Sequence, residues 1–591
     1  MHELEDLIYN IRIEYRKTAA SVSQDSLLKS IDAVTNFLAD LREHLNDFAP
    51  IHRLPPELLS LIFSTQLPRH HKNIFDSDRN SVNVYHHAHG WNALFARICR
   101  RWRAAALDTP EPWAYISAPP DSNQFRIHME RSQAHQLSLS IGTHIPDLEK
   151  VLRSVGLRLC RLDVAITTRP VEAIKPSSIL QIDAPQLRCA TFMCAREKFS
   201  SDTGGRSGPE VEWVELFGQP SCSLRALALA LATNWLPSNT FADLTHLLLS
   251  CNPHLAVTSH SGLLALLCNT PRLEFLHIIH LWYHASDVNR SGVRMVALNR
   301  LRSLVVDTCT RISLLSFYAR LTIPAHTLIT LVEIVVGTAA SAVPLLDESS
   351  PVTCLEINID GSKLQVIAKS ALRDFLLQWR SGGIEGMQTG PPLHRLLSLS
   401  AVTSLKVSFG SGHGLYVIDD LVPHLSQVSE VAIYHCYIGG TRYDESPYDT
   451  PAVFFDDLGR DGACPALSLL TVYLRLSTAE LIEEDPVLYG VSEMLRARAL
   501  SSASLPRVVV QPHARDPFTT QELEHIREWF TGYTAELELR EAAIQVRPDP
   551  SEPAKRWMSD GAERYWHLYD RAKPEYLGPH GGDSSERWIA S

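Results

Sequence analysis

The chain has no run of about 20 apolar residues and opens without an apolar signal segment, so no bilayer-spanning helix and no export are expected, and a place in the cytoplasm or nucleus follows. Its 11 cysteines include no Cys-x-x-Cys pair, and no histidine spacing completes a zinc finger around Cys189 and Cys194. Most are expected to be reduced and buried as small apolar residues. There is no H-E-x-x-H pair, no G-x-S-x-G elbow and no Gly-Lys-Ser/Thr phosphate loop. A glycine cluster, Gly410-Ser411-Gly412-His413-Gly414, places Leu415 where a dinucleotide loop needs its third glycine, and reads as a turn. No catalytic residue, metal or cofactor is therefore assigned. Cationic charge is also short: 55 Lys and Arg stand against 66 Asp and Glu, a net charge of -11 that disfavours a nucleic-acid surface.

What is present begins with two helical signals. Residues 1–50 read as a helical arm, in which Ile31, Val34, Leu38, Leu41 and Leu45 alternate by three and four like a short coiled-coil seam. Packing of that seam on the chain's own body is expected, self-association being the alternative. Then comes Leu54-Pro55-Pro56-Glu57-Leu58-Leu59-Ser60-Leu61-Ile62-Phe63. Two prolines fix φ and remove donors where a first helical turn has none to spare, so a helix starts there. Its apolar residues are too many for a single stripe, and two faces need cover. A second helix is predicted over Trp91 to Leu107, with Leu94, Ile98 and Trp102 on one side and the run Arg97 to Arg103 as a solvated face. Between the two lies a polar insert, 69–90, with His70, His71, His86, His87 and His89; no closed ligand set completes a metal site, and it reads as a loop.

Leu-Pro-x-Glu followed by Ile98-Cys99-Arg100-Arg101-Trp102-Arg103 and Pro110-Glu111-Pro112-Trp113 resembles an F-box. The long insert departs from compact members of that family. The resemblance implies a module, here 51–118, that docks on the Skp-type adaptor of a cullin ubiquitin ligase. It implies that Leu54, Pro55, Glu57, Leu58, Ile62, Phe63, Ile98, Cys99 and Trp102 meet the adaptor. A free receptor leaves Leu54, Pro55, Leu58 and Ile98 partly uncovered, whereas helices that only cap a neighbouring domain bury them. No RING-like set of cysteines and histidines is present, so ubiquitin chemistry would come from partners.

Residues 119–545 carry a repeat, L-x-x-L-x-L followed by x-x-Asn or x-x-Cys, with its best copies at Leu244, Leu301 and Val428. Weaker copies begin at Leu159, Leu187, Leu224, Leu273, Leu331, Val352, Val402, Leu467 and Leu505. A helix-like stretch from Leu263 to Thr270 separates two of them, and another helical run is predicted from Ala368 to Trp379. Strand-plus-helix units whose apolar faces only neighbours can bury build an α/β leucine-rich solenoid with a curved parallel sheet. Outward positions between the inward leucines, among them His246, Glu274, His277, Arg302, Ser303, Glu356, Lys406 and Glu430, are candidates to meet a protein substrate, as the resemblance implies for that wall. Loops are read at Ser200 to Pro209, Arg380 to Pro391 and Thr441 to Pro451, and a cap with a tail over 546–591. The whole is expected to be a substrate receptor, monomeric outside its complex; the alternative is a scaffold without a ligase.

Overall fold

The computed structural model describes residues 2–18, 23–66, 95, 98–117, 119, 122–142, 148–166, 182–194, 212–218, 223–231, 235–251, 260–281, 295–335, 351–360, 363–380, 393–409, 421–435, 450–474, 486–501, 503–512, 518–540 and 564–565. The insert 69–90, the glycine cluster at 410–414 and the loops at 200–209 and 441–449 lie outside the described residues. The chain divides into two compact units, Met1–Arg69 with Tyr85–Leu137, and His70–Val84 with Ser138–Ser591.

The first unit is helical: α1 His2–Thr18, α2 Gln24–Asp47, α3 Pro56–Gln66, α4 Arg100–Asp108 and α5 Asn123–Arg131. Ser23 caps α2, its hydroxyl accepting from the Ser26 N–H. Contrary to the expected packing, the α2 seam is exposed at Ile31, Val34, Leu38, Leu41 and Leu45. The helix predicted over 91–107 is interrupted at Cys99: Phe95 and Ile98 before it are helical, and 91–94 and 96–97 lie outside the described residues. α4 begins at Arg100, because Cys99 is extended (φ -158°, ψ 173°) and its side-chain sulfur accepts from the Trp102 N–H as an N-cap.

The second unit is mixed α/β around one large, mostly parallel sheet. Its strands are β1 Leu137–Gly142, β2 Leu159–Ile166, β3 Cys189–Cys194, β4 Ala226–Leu231, β5 His246–Cys251, β6 Phe275–Leu281, β7 Ser303–Thr310, β8 Leu328–Val335, β9 Val352–Asp360, β10 Lys363–Ser370, β11 Asp374–Arg380, β12 Ser404–Phe409, β13 Glu430–His435, β14 Leu469–Leu474, β15 Arg507–Pro512 and β16 Glu536–Leu539. From β1 to β8 each strand lies beside the next in sequence, and the same holds from β12 to β16. Between these runs the order reverses: β8 pairs with β11, β11 with β10, β10 with β9 and β9 with β12. β10 is antiparallel to both neighbours, so β9 and β11 keep the common direction. The helix predicted from Ala368 to Trp379 is thus a hairpin. Its turn carries no Gly or Pro; the Ser370 hydroxyl accepts from the Leu372 and Arg373 N–H groups instead.

Inward positions follow the repeat. Leu247 and Leu249, Leu304 and Val306, and Val431 and Ile433 are buried, as are Leu162 with Val164 and Leu470 with Val472 in weaker copies. The copy read from Leu331 is out of phase: β8 starts at Leu328, and its inward residues are Ile329, Leu331 and Ile334. Short helices follow several strands. In α6 His260–Cys268, Leu263, Leu264, Leu266 and Leu267 are all buried, which explains why no polar stripe marks it.

Three strands share a device that explains the two-residue gap in the repeat. His280, Thr308 and Glu333 have positive φ, at 60°, 53° and 50°. They stand side by side, since Asp307 and Cys309 pair with Ile279 and Leu281 on one flank and with Val332 and Ile334 on the other. A left-handed residue in each strand breaks the alternation, so that Val306 and Cys309 both face inward across two intervening residues. Burial of Cys309 raises its thiol pKa far above the ordinary value.

Candidate functional site

In the first unit the sequence dictates a two-sided α3. The N–H groups of Leu58 and Leu59 both reach the Pro55 carbonyl, at 3.0 and 3.3 Å, and close the first turn. Leu59 and Phe63, four residues apart, are fully buried with Phe95, Trp102, Ala105 and Ala106. Phe63 stacks on Phe95 at 4.5 Å between centroids and lies 5.3 Å from Trp102. Leu54 and Cys99 pack on the margin of this cluster. The Trp102 indole N–H is buried with no acceptor among the described residues.

The other side of α3 is bare. Leu58 is 44% exposed, Leu61 59%, Ile98 48% and Ile51 38%, while Pro55 and Glu57 are exposed and Ile62 is half-buried. The nine residues assigned to the adaptor therefore separate. Phe63 and Trp102 form the module's own core, Leu54 and Cys99 lie at its edge, Ile62 is half-buried, and Pro55, Glu57, Leu58 and Ile98 face solvent. Leu61 was absent from the sequence assignment, although its spacing of three from Leu58 already marks it as a neighbour on the same side.

Two arginines of the run read as a solvated face have partners within the unit. Arg101 donates to the carbonyls of His52 and Leu54, fixing the turn Pro50–Arg53 that leads into α3. Arg100 bridges Asp40 at 2.9 Å and Glu43 at 2.8 Å on α2. Trp113 closes the unit: its indole N–H donates to the Ala106 carbonyl at 2.8 Å, His128 meets it edge-on and Arg131 lies 4.6 Å over its ring.

On the outward side of the sheet, the eight substrate candidates fall into small groups. Glu274 and Arg302 precede β6 and β7 and approach to 3.8 Å, with Arg302 also 5.7 Å over the Phe275 ring. His246 is buried and stacks on Phe275 at 4.5 Å. Glu356 and Lys406 stand in register on β9 and β12, Glu356 buried and Lys406 half-buried. Asn358 donates to Glu356 at 3.4 Å. Glu430 is exposed, between Ser404 and Leu469. Ser303 is half-buried beside Phe275. His277 is buried with neither ring nitrogen partnered among the described residues, and desolvation lowers its pKa to about 3, so it is neutral.

Among the described residues no three His, Cys, Asp or Glu side chains gather as metal ligands would, and no helix is long and apolar enough to cross a membrane. No protein-family model matches this chain, and no curated protein matches it in sequence.

Proposed function

We propose that this chain is the substrate-recognition subunit of a Skp-cullin-F-box ubiquitin ligase. The reading is carried by one observation: a module with its own aromatic core leaves Leu58, Leu61 and Ile98 in water. Large apolar side chains exposed beside a completed core favour a partner surface over a cap, which would bury them. The adaptor's apolar helices are the occupant that the F-box resemblance names.

The second unit is read as an irregular leucine-rich solenoid. Sequential parallel strands with buried leucines at fixed motif positions support that, and the reversed hairpin of β9 to β11 is its main irregularity. Its outward face would hold a protein substrate near the charged ubiquitin carrier, in the cytoplasm or nucleus. The contribution to rate is positional: a tethered lysine meets the thioester at a raised effective concentration, with no catalytic group from this chain.

Saturating a purified Skp-type adaptor onto the chain should slow amide exchange over 54–63 and 98–102 and leave β12 to β15 unchanged. Unaltered exchange over 54–63 at saturating adaptor would leave the scaffold reading in its place.

A further inference from the structure

The N-terminal part of the sheet's outward face is a trough with a floor of small side chains. Arg161, Cys189, Ala226 and His246 stand in one row across β2 to β5, by the registers of successive strands. In the next row Asp163, Thr191, Ala228 and Leu248 stand in the same way. Floor residues Ala226, Ala228 and Thr191 are each 0% exposed. Small side chains on an open sheet face remain accessible to water, so this stretch is covered.

Tyr565 is placed there. The Arg161 guanidinium, itself 7% exposed, donates from Nε to Asp163 at 2.8 Å and from Nη1 to the Tyr565 carbonyl at 2.5 Å. Asp163 thus holds the fork that reads a backbone oxygen, a charge-assisted bond in a dry setting. Three strands away the Tyr565 ring meets His246 edge-on, with centroids 4.9 Å apart and planes at 73°. His246 is fixed by Phe275 behind it and by the Thr245 hydroxyl at 2.8 Å from Nδ1. Arg564 lies 5.8 Å over the Tyr565 ring.

We propose that this trough is a binding site for an extended protein segment presenting an aromatic side chain, and that the chain's own Tyr565 occupies it. The site has two readers: Arg161 takes a main-chain carbonyl, and the His246–Phe275 stack takes the ring. Chain length permits the return. About 14 strand spacings of ~4.8 Å separate β2 from β16, roughly 67 Å, and the ~26 residues from Leu539 to Tyr565 reach ~85 Å when extended. A substrate must then displace the tail, so its apparent affinity is reduced by the fraction of chain with an open trough. The inference rests on the reading of the outward face as the recognition surface.

The test uses the full chain and a fluorescein-labelled peptide of residues 560–570. Tyr565→Asp, a change at a half-buried tail position, should open the site in an otherwise folded chain. Anisotropy is expected to show the peptide binding the Tyr565→Asp chain at least 10-fold more tightly than the wild type. A peptide with aspartate at the tyrosine position should not bind. Adding Arg161→Lys, which keeps the charge beside Asp163 and loses the fork, should abolish the binding. Equal affinity for both chains, or no binding by a Tyr565→Asp chain that melts like the wild type, would overturn the proposal. No adaptor enters the assay, so either result leaves adaptor binding to be judged separately.

Discussion

The two units solve opposite problems. The helical unit leaves apolar side chains in water, Leu58, Leu61 and Ile98 on the α3 side and the whole α2 seam, while its aromatic core is complete. The sheet unit does the reverse. It buries polar side chains on its outward face, Asp163 at 1%, His277 at 5% and Glu356 at 9% exposure. Under the proposed function, the uncovered leucines of the small module are the surface offered to a partner, while the buried polar groups of the sheet face are withdrawn from water. This difference separates an open docking surface from a closed one.

The strongest way to break the comparison is to remove a core residue from the helical unit. Phe63→Ala should cost about 3–5 kcal/mol and unfold that unit selectively, read as an early thermal transition that leaves the sheet intact. A loss below about 1 kcal/mol would mean that Phe63 is not core. The counterpart in the sheet unit is Arg498, which is 1% exposed and donates to the carbonyls of Leu458, Ala463, Cys464 and Ser504. Arg498→Leu leaves those acceptors unsatisfied and should cost about 3 kcal/mol in urea unfolding of the second transition, with the first unmoved.

His277 sharpens the contrast through pH. Its pKa is near 6.5 when unfolded and about 3 when folded, so the unfolded state binds the extra proton between those values. The contribution of His277 to the stability of the sheet unit is therefore full above pH 6.5 and falls by up to about 1.4 kcal/mol per pH unit as the pH drops through that window. His277→Leu should flatten this limb and add about 1 kcal/mol at pH 7, because no ring nitrogen is left buried without a partner. An unchanged slope in denaturant titrations at pH 7, 5.5 and 4.5 would place the acid sensitivity elsewhere. The smallest effect is expected at Arg100, whose pairs with Asp40 and Glu43 are solvent-exposed. Arg100→Ala should leave the melting temperature unchanged at physiological salt and lower it detectably only at low salt.

Much of the sheet was legible because burial enforces the repeat. Leu247, Leu304, Leu355, Leu405 and Val431 are each the second apolar position of a motif copy, and each is fully or almost fully buried within a strand. What escaped had local chemistry that imitates something else. Ala368 to Trp379 has helix-forming composition and a turn made by a serine hydroxyl, so the hairpin had no Gly or Pro to announce it. The reversed order of β9 to β11 depends on long-range pairing and leaves no trace in spacing. Left-handed Thr308 and Glu333 are residues whose propensity gives no warning of positive φ. At the candidate site, Leu-Pro-x-Glu located α3, but sequence did not distinguish Leu59 and Phe63 inside from Leu58 and Leu61 outside. Nor did it show Arg101 reaching back to the His52 and Leu54 carbonyls, since the partners are main-chain atoms of no particular sequence.

The docking claim is tested most directly by calorimetry of the full chain with a purified Skp-type adaptor, beside a Leu58→Asp, Ile98→Asp variant. Both positions are exposed, so the variant should melt as the wild type does. The account predicts tight wild-type binding weakened at least 100-fold, about 2.7 kcal/mol, in the folded variant. Equal binding by the two chains, or no heat from the folded wild type, would contradict it.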